Sequence, residues 1–384
     1  MSSVGIICEY NPFHNGHRYH IEKIKEKYKD DTIILVMSSH FLQRGESSIM
    51  DKWKKTEVAL LEGVDLVIEL PFVFSSQGAD IFAKGAIEIL DSLNVDRIVF
   101  GSETNDIEIL KDMASVQIGN SKFNKLVKDY IDEGVNYPTA VSKAIKILTK
   151  CETNSPNDLL GICYIKEIMK QKSKIKPECI LRTNDFHSKD AYGTIASATS
   201  IRTMIKDHKN YSKFVPESTL KYLEEELYFI DDYFDLLKYK IITNLESLDK
   251  FQTVDEGIEA RIKKYIFESN DLESLINNIK TKRYTYNKIK RMLVHILCDF
   301  TKEDANNCKE SEYIRVLGFN EKGKNYLNKV KKESRLPIIT GYSNIESKIL
   351  DIEFKVSSIY FMISKEKNKN DLINMEYKHK PVIK

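Results

Sequence analysis

A chain of 384 residues, 42% of them hydrophobic and 30% charged, can bury a large core, which excludes disorder, collagen and the small disulfide scaffolds. Its 59 Lys and Arg against 57 Asp and Glu leave a net charge of +2, so any nucleic-acid footprint must be local. The uncharged run from Thr32 to Gln43 falls far short of the roughly 20 apolar residues that cross a bilayer, and no membrane partner is expected.

Val4 to Cys8 is a short apolar run, and Ile21, Ile24 and Tyr28 follow at helical spacing, so the chain opens strand, loop, helix. The opening residues carry no basic n-region and reach Glu9 before any long apolar core, which predicts no secretory signal and a cytoplasmic protein. Thr32 to Met37 is a second strand. A third, Asp65-Leu-Val-Ile-Glu-Leu-Pro, follows the helical stretch Lys52 to Glu62, and a fourth, Asp96-Arg-Ile-Val-Phe-Gly, follows the helical stretch Ala79 to Leu93. This alternation predicts an α/β fold with a doubly wound parallel sheet, Rossmann-like. Ligands of such sheets sit beyond the carboxyl ends of the strands, so Glu9 to Gly16, Ser38 to Gly45, Leu70 to Gly78 and Gly101 to Glu103 are expected around one crevice.

After about residue 205 the pattern becomes amphipathic helix: Glu217 to Leu248, Val254 to Phe267, Leu272 to Ile279 and Tyr286 to Phe300. We therefore expect two domains, 1–205 binding a nucleotide and a mostly helical 206–384. Leu336 to Thr340 reads as a strand, and the Lys- and Asn-rich tail is expected to fray. Cys8, Cys151, Cys163, Cys179, Cys298 and Cys308 form no CxxC pair, which fits reduced thiols, mostly small core residues, rather than disulfides or a zinc site.

The segment Glu9-Tyr-Asn-Pro-Phe-His-Asn-Gly-His-Arg-Tyr-His20 places His14 and His17 around Gly16 at a strand-to-helix junction. Unpaired backbone N–H groups and the helix dipole favour a phosphate there, and Gly16 admits a close ligand. Two imidazoles can donate to a triphosphate and stabilise the charge that develops on attack at its α-phosphate, so His14 and His17 are the catalytic candidates. From the chain's His and Gly content, H-x-G-H arises by chance in fewer than about one chain in a hundred. A plain helix cap and a metal site of His14, His17 and His20 are the competing readings; no Cys or carboxylate completes the latter, and no resident metal is predicted.

A second constellation, Ile195-Ala-Ser-Ala-Thr-Ser-Ile-Arg202, precedes another helix. Ser197 and Thr199 can cap it while facing a phosphate that Arg202 also reaches, although an ordinary cap has the same composition. Between Lys280 and Arg291 lie six basic residues, Tyr284 and Tyr286, and no acid. Lys282, Arg283, Lys288, Lys290 and Arg291 suit RNA phosphates, with the tyrosines available for stacking; a solvated helix face is the alternative. Lys322 to Arg335 is a second, weaker basic stretch. Arg44 and Lys52 can hold phosphates or simply pair with Glu46 or Asp51, and Trp53 reads as helix packing. Tyr10 and Phe13 line the nucleotide pocket or support its loop.

The H-x-G-H loop with an I-x-S-x-T-x-I-R segment resembles the HIGH-type nucleotidyltransferase superfamily. The chain is more similar still to the tRNA(Met) cytidine acetate ligase family. The resemblance is carried by Ile6 to His17, Phe41-Leu-Gln-Arg-Gly45 with Asp51-Lys52, Asp65 to Phe72, Phe100-Gly-Ser-Glu103, Pro156-Asn157 with Leu160-Gly161, Ile195 to Arg202, Arg283-Tyr284-Thr285 and Leu317-Gly318-Phe319. It implies ATP-dependent activation of acetate as acetyl-adenylate, with Mg2+, and acetylation of N4 of the wobble cytidine of elongator tRNA(Met). It also implies nucleotide contacts from Ile7, Cys8, Glu9, Tyr10, Asn11, Pro12, Phe13, His14, Asn15, Gly16, His17, Arg18, Tyr19 and His20, and from Gly101, Asn157 and Arg182. Two loops depart from the family pattern: Ser39-His40 stands where a Gly-Asn pair is expected, and the stretch around Asn184-Asp185-Phe186 lacks a Gly-Tyr.

A carboxylate needs no general base to attack phosphorus, so such a site has only to position ATP, stabilise the pentavalent phosphorus and protect the mixed anhydride from water. Two other readings stay open: an adenylyltransferase for a small phosphorylated acceptor, and a nucleotide-sensing RNA-binding protein without turnover. The sequence leaves the oligomeric state open.

Overall fold

Strand β1 (Ser3–Cys8) leads through a loop to α1 (Asn15–Lys27), β2 (Thr32–Ser38), α2 (Lys52–Leu61), β3 (Leu66–Leu70), α3 (Phe72–Ser75), α4 (Ala79–Ser92) and β4 (Arg97–Ser102), the alternation that the apolar runs predict. The structure, a computed structural model, describes residues 2–152, 155–182, 195–342 and 345–384. Helices α5 (Ile107–Ser115), α6 (Ser121–Asp132), α7 (Tyr137–Thr149) and α8 (Pro156–Lys170) precede β5 (Lys176–Leu181). Then come α9 (Ala198–Lys206), α10 (Glu217–Leu223), α11 (Phe234–Thr243), α12 (Ile258–Tyr265), α13 (Leu272–Ile279), α14 (Tyr286–Leu297) and α15 (Lys302–Asn307). The chain ends with β6 (Ile314–Phe319), α16 (Glu321–Val330), β7 (Ile338–Ile339), α17 (Lys348–Phe361), α18 (Lys369–Ile373), α19 (Met375–Lys378) and β8 (Val382–Ile383).

The strands lie in the order β5-β4-β1-β2-β3-β6-β7, with β8 also on β6, and are parallel from β5 to β3. Ile33, Leu35 and Met37 pack on one face of β2, Ile34 and Val36 on the other, and all five are buried. That is the physical reason for the unbroken apolar run: helices cover both faces of a parallel sheet. The strand order reverses at β1, whose neighbours are β4 on one side and β2 on the other, and such a switch point opens a crevice beyond the carboxyl ends of β1 and β4.

Three predicted features change in the folded chain. Strand β6 is antiparallel to β3 and carries β7 and β8, so the mostly helical half returns to the sheet. The tail does not fray: Val382 pairs with Gly318, and the Glu376 side chain is fully buried. The stretch Glu217 to Leu248 is not one helix but α10, α11 and 3-10 turns at Ile230–Tyr233 and Leu245–Lys250.

Tertiary pairing of charges explains the tail. Lys52 on α2 donates to Glu69 of β3 at 2.5 Å, Arg315 of β6 meets Glu69 at 3.3 Å and Glu376 at 2.5 Å, and Lys52 also pairs with Glu376. All four side chains are wholly buried, where a charge persists only with a partner. Lys52 is thus a core ion and pairs with neither Glu46 nor Asp51. Trp53 packs as predicted, its ring stacked on His379 at 4.0 Å. Of the six free cysteines only Cys298 and Cys308 are buried; the other four are half-buried, so most are not core residues.

Candidate active site

The loop after β1 is held rigidly. The Asn11 carboxamide accepts from the Ile49 N–H at 2.8 Å and donates to the Ser47 carbonyl at 3.2 Å, which ties it to the loop after β2. His14 is the N-cap of α1: its Nδ1 accepts from the Gly16 N–H at 3.0 Å, and its own N–H donates to His17 Nδ1 at 3.2 Å. This is a reciprocal capping box made of two histidines. With both Nδ1 atoms accepting, a neutral imidazole must carry its proton on Nε2, and so each ring presents an Nε2–H donor.

Burial, reinforced by the charge of Arg182, pushes His14 down to about 3 and His20 to about 4. Burial also holds His17 well below the usual range, with His14 and Arg182 adding to the effect. The first turn of α1 contains no acid, so its N-terminal dipole is not offset from within the helix. Tyr10 and Phe13 are buried and pack their rings 4.7 and 5.5 Å from that of His17; they support the loop. Gly16 has a steric reason different from ligand approach: a Cβ there would lie 2.8 Å from His14 Cε1, so glycine makes room for the capping ring.

The second constellation is brought to the first. Ile195 Cγ2 lies 3.5 Å from the Cβ position of Gly16, and Arg202 Nη1 donates to the Asn11 carbonyl at 2.8 Å. Ser197 caps α9 by accepting from the Ser200 N–H at 3.1 Å, while Thr199 Oγ1 accepts from Arg202 at 3.3 Å. The other Arg202 contact is the Glu46 carboxylate, which Lys290 also meets at 2.8 Å. Arg202 is therefore an anchor between three segments.

At the end of β4, Gly101 lies beside Arg182, whose N–H donates to the Ser102 carbonyl at 2.9 Å. Asp158 of α8 accepts from the Thr104 N–H at 3.1 Å and its hydroxyl at 2.6 Å, while Glu103 receives Ser155 at 2.6 Å and Asn157. Ile7 and Cys8 are strand residues paired with Val36 and Met37. Arg18 and Asn15 turn outward along α1: Arg18 makes a bidentate pair with Glu62 at 2.6 and 2.9 Å, and Asn15 donates to the Lys213 carbonyl at 2.9 Å. The Tyr19 ring lies 5.6 Å from Lys23 Nζ.

A HIGH Nucleotidyl Transferase family model matches residues 1–374. A tRNA(Met) cytidine acetate ligase of Geobacillus sp. (strain WCH70) is 40% identical over the full length of both chains, and that of Caldicellulosiruptor saccharolyticus is 39% identical over all of this chain and 98% of its own. The chain belongs to the tRNA(Met) cytidine acetate ligase family of HIGH nucleotidyltransferases. A crystal structure of Thermotoga maritima TmcAL bound with alpha-thio ATP is similar, with a TM-score of 0.91, 29% identity and coverage of 100% of this chain and 99% of that one.

The motifs that carry the family likeness do different work in the fold. In Phe41-Leu-Gln-Arg-Gly45 the glycine has a φ of 72°, and a Cβ there would lie 2.3 Å from the Arg291 nitrogen, so it seats α14 directly on the loop. His40 is buried and stacked on Tyr360 at 4.3 Å, facing the core, whereas Arg44 is exposed. Asn184-Asp185-Phe186 lies outside the described residues. The loop Leu70 to Gly78 does not line the crevice: Phe72 to Gln77 are buried, with Ser75 bonded to the Phe41 carbonyl and the Ser76 carbonyl 2.6 Å from His295.

The basic stripe divides. Lys282 and Arg283 are exposed and Lys288 is half-buried, with its Nζ 4.2 Å from the Tyr284 ring. Lys290 and Arg291 turn inward, to Glu46 and to the Gln43 carbonyl at 3.0 Å, and burial lowers Arg291 to about 10. Tyr284 is a core residue bonded to the Asp255 carbonyl, so its ring is closed to bases, whereas Tyr286 is exposed.

Sequence reasoning missed Lys55. Its fully buried ammonium donates to the carbonyls of Glu9, Ser38 and Ser39 at 3.0, 2.7 and 2.9 Å, which draws the ends of β1 and β2 together, and burial lowers it to about 7. Glu9 completes the clasp by accepting from the Gln43 N–H at 2.7 Å. The signal was a lysine on the apolar face of α2, one turn before Val58 and Ala59.

Proposed function

We propose that the protein activates acetate with ATP as acetyl-adenylate and transfers the acetyl group to N4 of the wobble cytidine of elongator tRNA(Met), in the cytoplasm. The observation that carries this reading is the pair of neutral, Nε2-protonated imidazoles of His14 and His17 at an N-terminus free of first-turn acid. The names of the full-length relatives and the ATP-analogue complex of the similar crystal structure support it.

An acetate oxygen attacks the α-phosphorus, and the bond to pyrophosphate breaks with its electrons leaving on pyrophosphate. Negative charge grows on the α-phosphoryl oxygens, where two preorganised N–H donors and the helix dipole act most strongly. Neutral donors suit this role because they need no proton transfer, and a carboxylate nucleophile needs no base. The cytidine amine then attacks the acyl carbon, AMP departs with the C–O electrons, and the amine loses a proton. Gly101, Asn157 and Arg182 complete the nucleotide pocket in this reading.

Mg2+ would neutralise charge on the ATP phosphates. A hard cation of this kind is carried by phosphate oxygens. No described helix is long and apolar enough to cross a membrane.

Incubation with labelled acetate, ATP and total tRNA, followed by nucleoside analysis, tests the reading. Labelled N4-acetylcytidine confined to tRNA(Met), with one pyrophosphate released per acetyl, is the expected result. Transfer to a small phosphorylated acceptor, or nucleotide binding without acetate-dependent pyrophosphate release, would overturn it.

A further inference from the structure

Beside the histidine loop is a cavity of about 250 Å³ between the loop after β2, α9 and the helices α13 and α14. Its lining is tied to the loop that carries the catalytic candidates: Ser47 and Ile49 both bond to Asn11, and Arg202 bridges Asn11 and Glu46. That volume lies at the small end of ligand pockets, too small for a whole nucleoside triphosphate. Its charges balance, with Arg202, Lys206 and Lys290 against Glu46, Asp231 and Glu273, so it has no excess positive charge to attract a polyphosphate. Its lining carries two aromatic rings, each beside a cation: Phe229 lies 5.0 Å from Lys206 Nζ, and Tyr286 lies 5.1 Å from Lys290 Nζ. Glu46 lines the same cavity; burial opposes its ionisation, but Arg202 and Lys290 outweigh it and keep the carboxyl below its usual range.

We propose that this cavity receives the acceptor nucleotide of the RNA, unstacked, with its base against Phe229 and Tyr286 and its exocyclic amine donating to the Glu46 carboxylate. This rests on the acyl-transfer reading above and names where the acceptor lies. A base must leave its stack for chemistry on an exocyclic amine, and aromatic rings offset that loss. A fixed carboxylate accepts from the cytosine amine and repels the uracil carbonyl at the same position, so Glu46 selects the base by its donor pattern.

The test uses the full-length protein and three anticodon stem-loop RNAs that differ only in carrying cytosine, uracil or no base at the acceptor position. Wild type is expected to bind the cytosine RNA about tenfold more tightly than the abasic one. Phe229→Ala and Tyr286→Ala should bring that ratio to within about twofold of unity, and Glu46→Gln should remove the preference for cytosine over uracil. Tyr286 is exposed, so its variant keeps the proposal falsifiable even where Glu46→Gln disturbs folding. Ratios that survive in variants with wild-type melting temperatures overturn the pocket. Acetylated product from wild type, measured in parallel, separates that outcome from the failure of the reading beneath it, in which no N4-acetylcytidine forms and both fall.

Discussion

The rings of His14 and His17 stack with centroids 3.8 Å apart and planes inclined by 25°. Two imidazolium rings would repel at that distance, so the stack itself requires that one ring at most be charged. Together with the capping bonds on both Nδ1 atoms, this leaves two neutral imidazoles, each with an Nε2–H, at a helix N-terminus.

In the proposed mechanism, replacing His17 by Ala would remove one donor from the developing phosphoryl charge. Acetate-dependent pyrophosphate exchange is expected to fall by about 10²- to 10³-fold. An unchanged exchange rate in a folded variant would remove His17 from the chemistry.

Because His14 titrates near 3 and His17 also far below 6.5, neither protonates in the working range. The pH profile of exchange between pH 5.5 and 8 should therefore show no inflection near 6.5 from these groups. Stability follows the opposite course. The unfolded histidines bind protons below about 6.5 while the folded ones do not, so stability is lost as pH falls from 6.5 toward 4 and 3. Thermal melts across that window measure it.

Glu353 gives a second, reversed pH dependence. Burial is the main cause that raises its carboxyl from 4.5 to about 8, with Glu69 contributing. Between those values the unfolded chain has released a proton that the folded chain retains, so stability declines as pH rises from 4.5 to 8. Glu353→Gln should flatten that decline in melts between pH 5 and 8.5; a parallel curve would show that the carboxyl is already ionised when folded.

Glu376 joins the tail to the core through Lys52 and Arg315. Glu376→Ala leaves two buried cations short of a partner, for which a loss of about 3 to 5 kcal/mol is expected in urea denaturation. A loss below about 1 kcal/mol would mean that the cluster rearranges freely.

Lys282 and Arg283 are, with Lys280, the exposed cations of the stripe. The double substitution to Ala should weaken tRNA binding and reduce the slope of log affinity against log salt by about one to two. An unchanged slope would show that this surface does not meet RNA phosphates.

The alternation of strands and helices was legible because apolar periodicity is a local property: the runs Val4 to Cys8 and Thr32 to Met37 became β1 and β2. The histidine loop was legible for the same reason, since cap, glycine and imidazoles lie within one turn. Strand β6 was hidden by Arg315, a charge that no pattern rule admits to a sheet interior until Glu69 and Glu376 are seen beside it. The basic stripe misled in part because helical spacing names the residues of a face without saying what that face meets. Glu46, distant in sequence from both Arg202 and Lys290, decided that.

Order along the chain therefore specified the Rossmann-like half and the histidine loop, through short-range patterns that each element carries in itself. Partnership across the chain was settled only on folding. Lys55 as a clasp, Lys52 as a core ion, and Glu46 between two cations all depend on buried charges finding opposites, an energy that exists only when distant segments exclude water together.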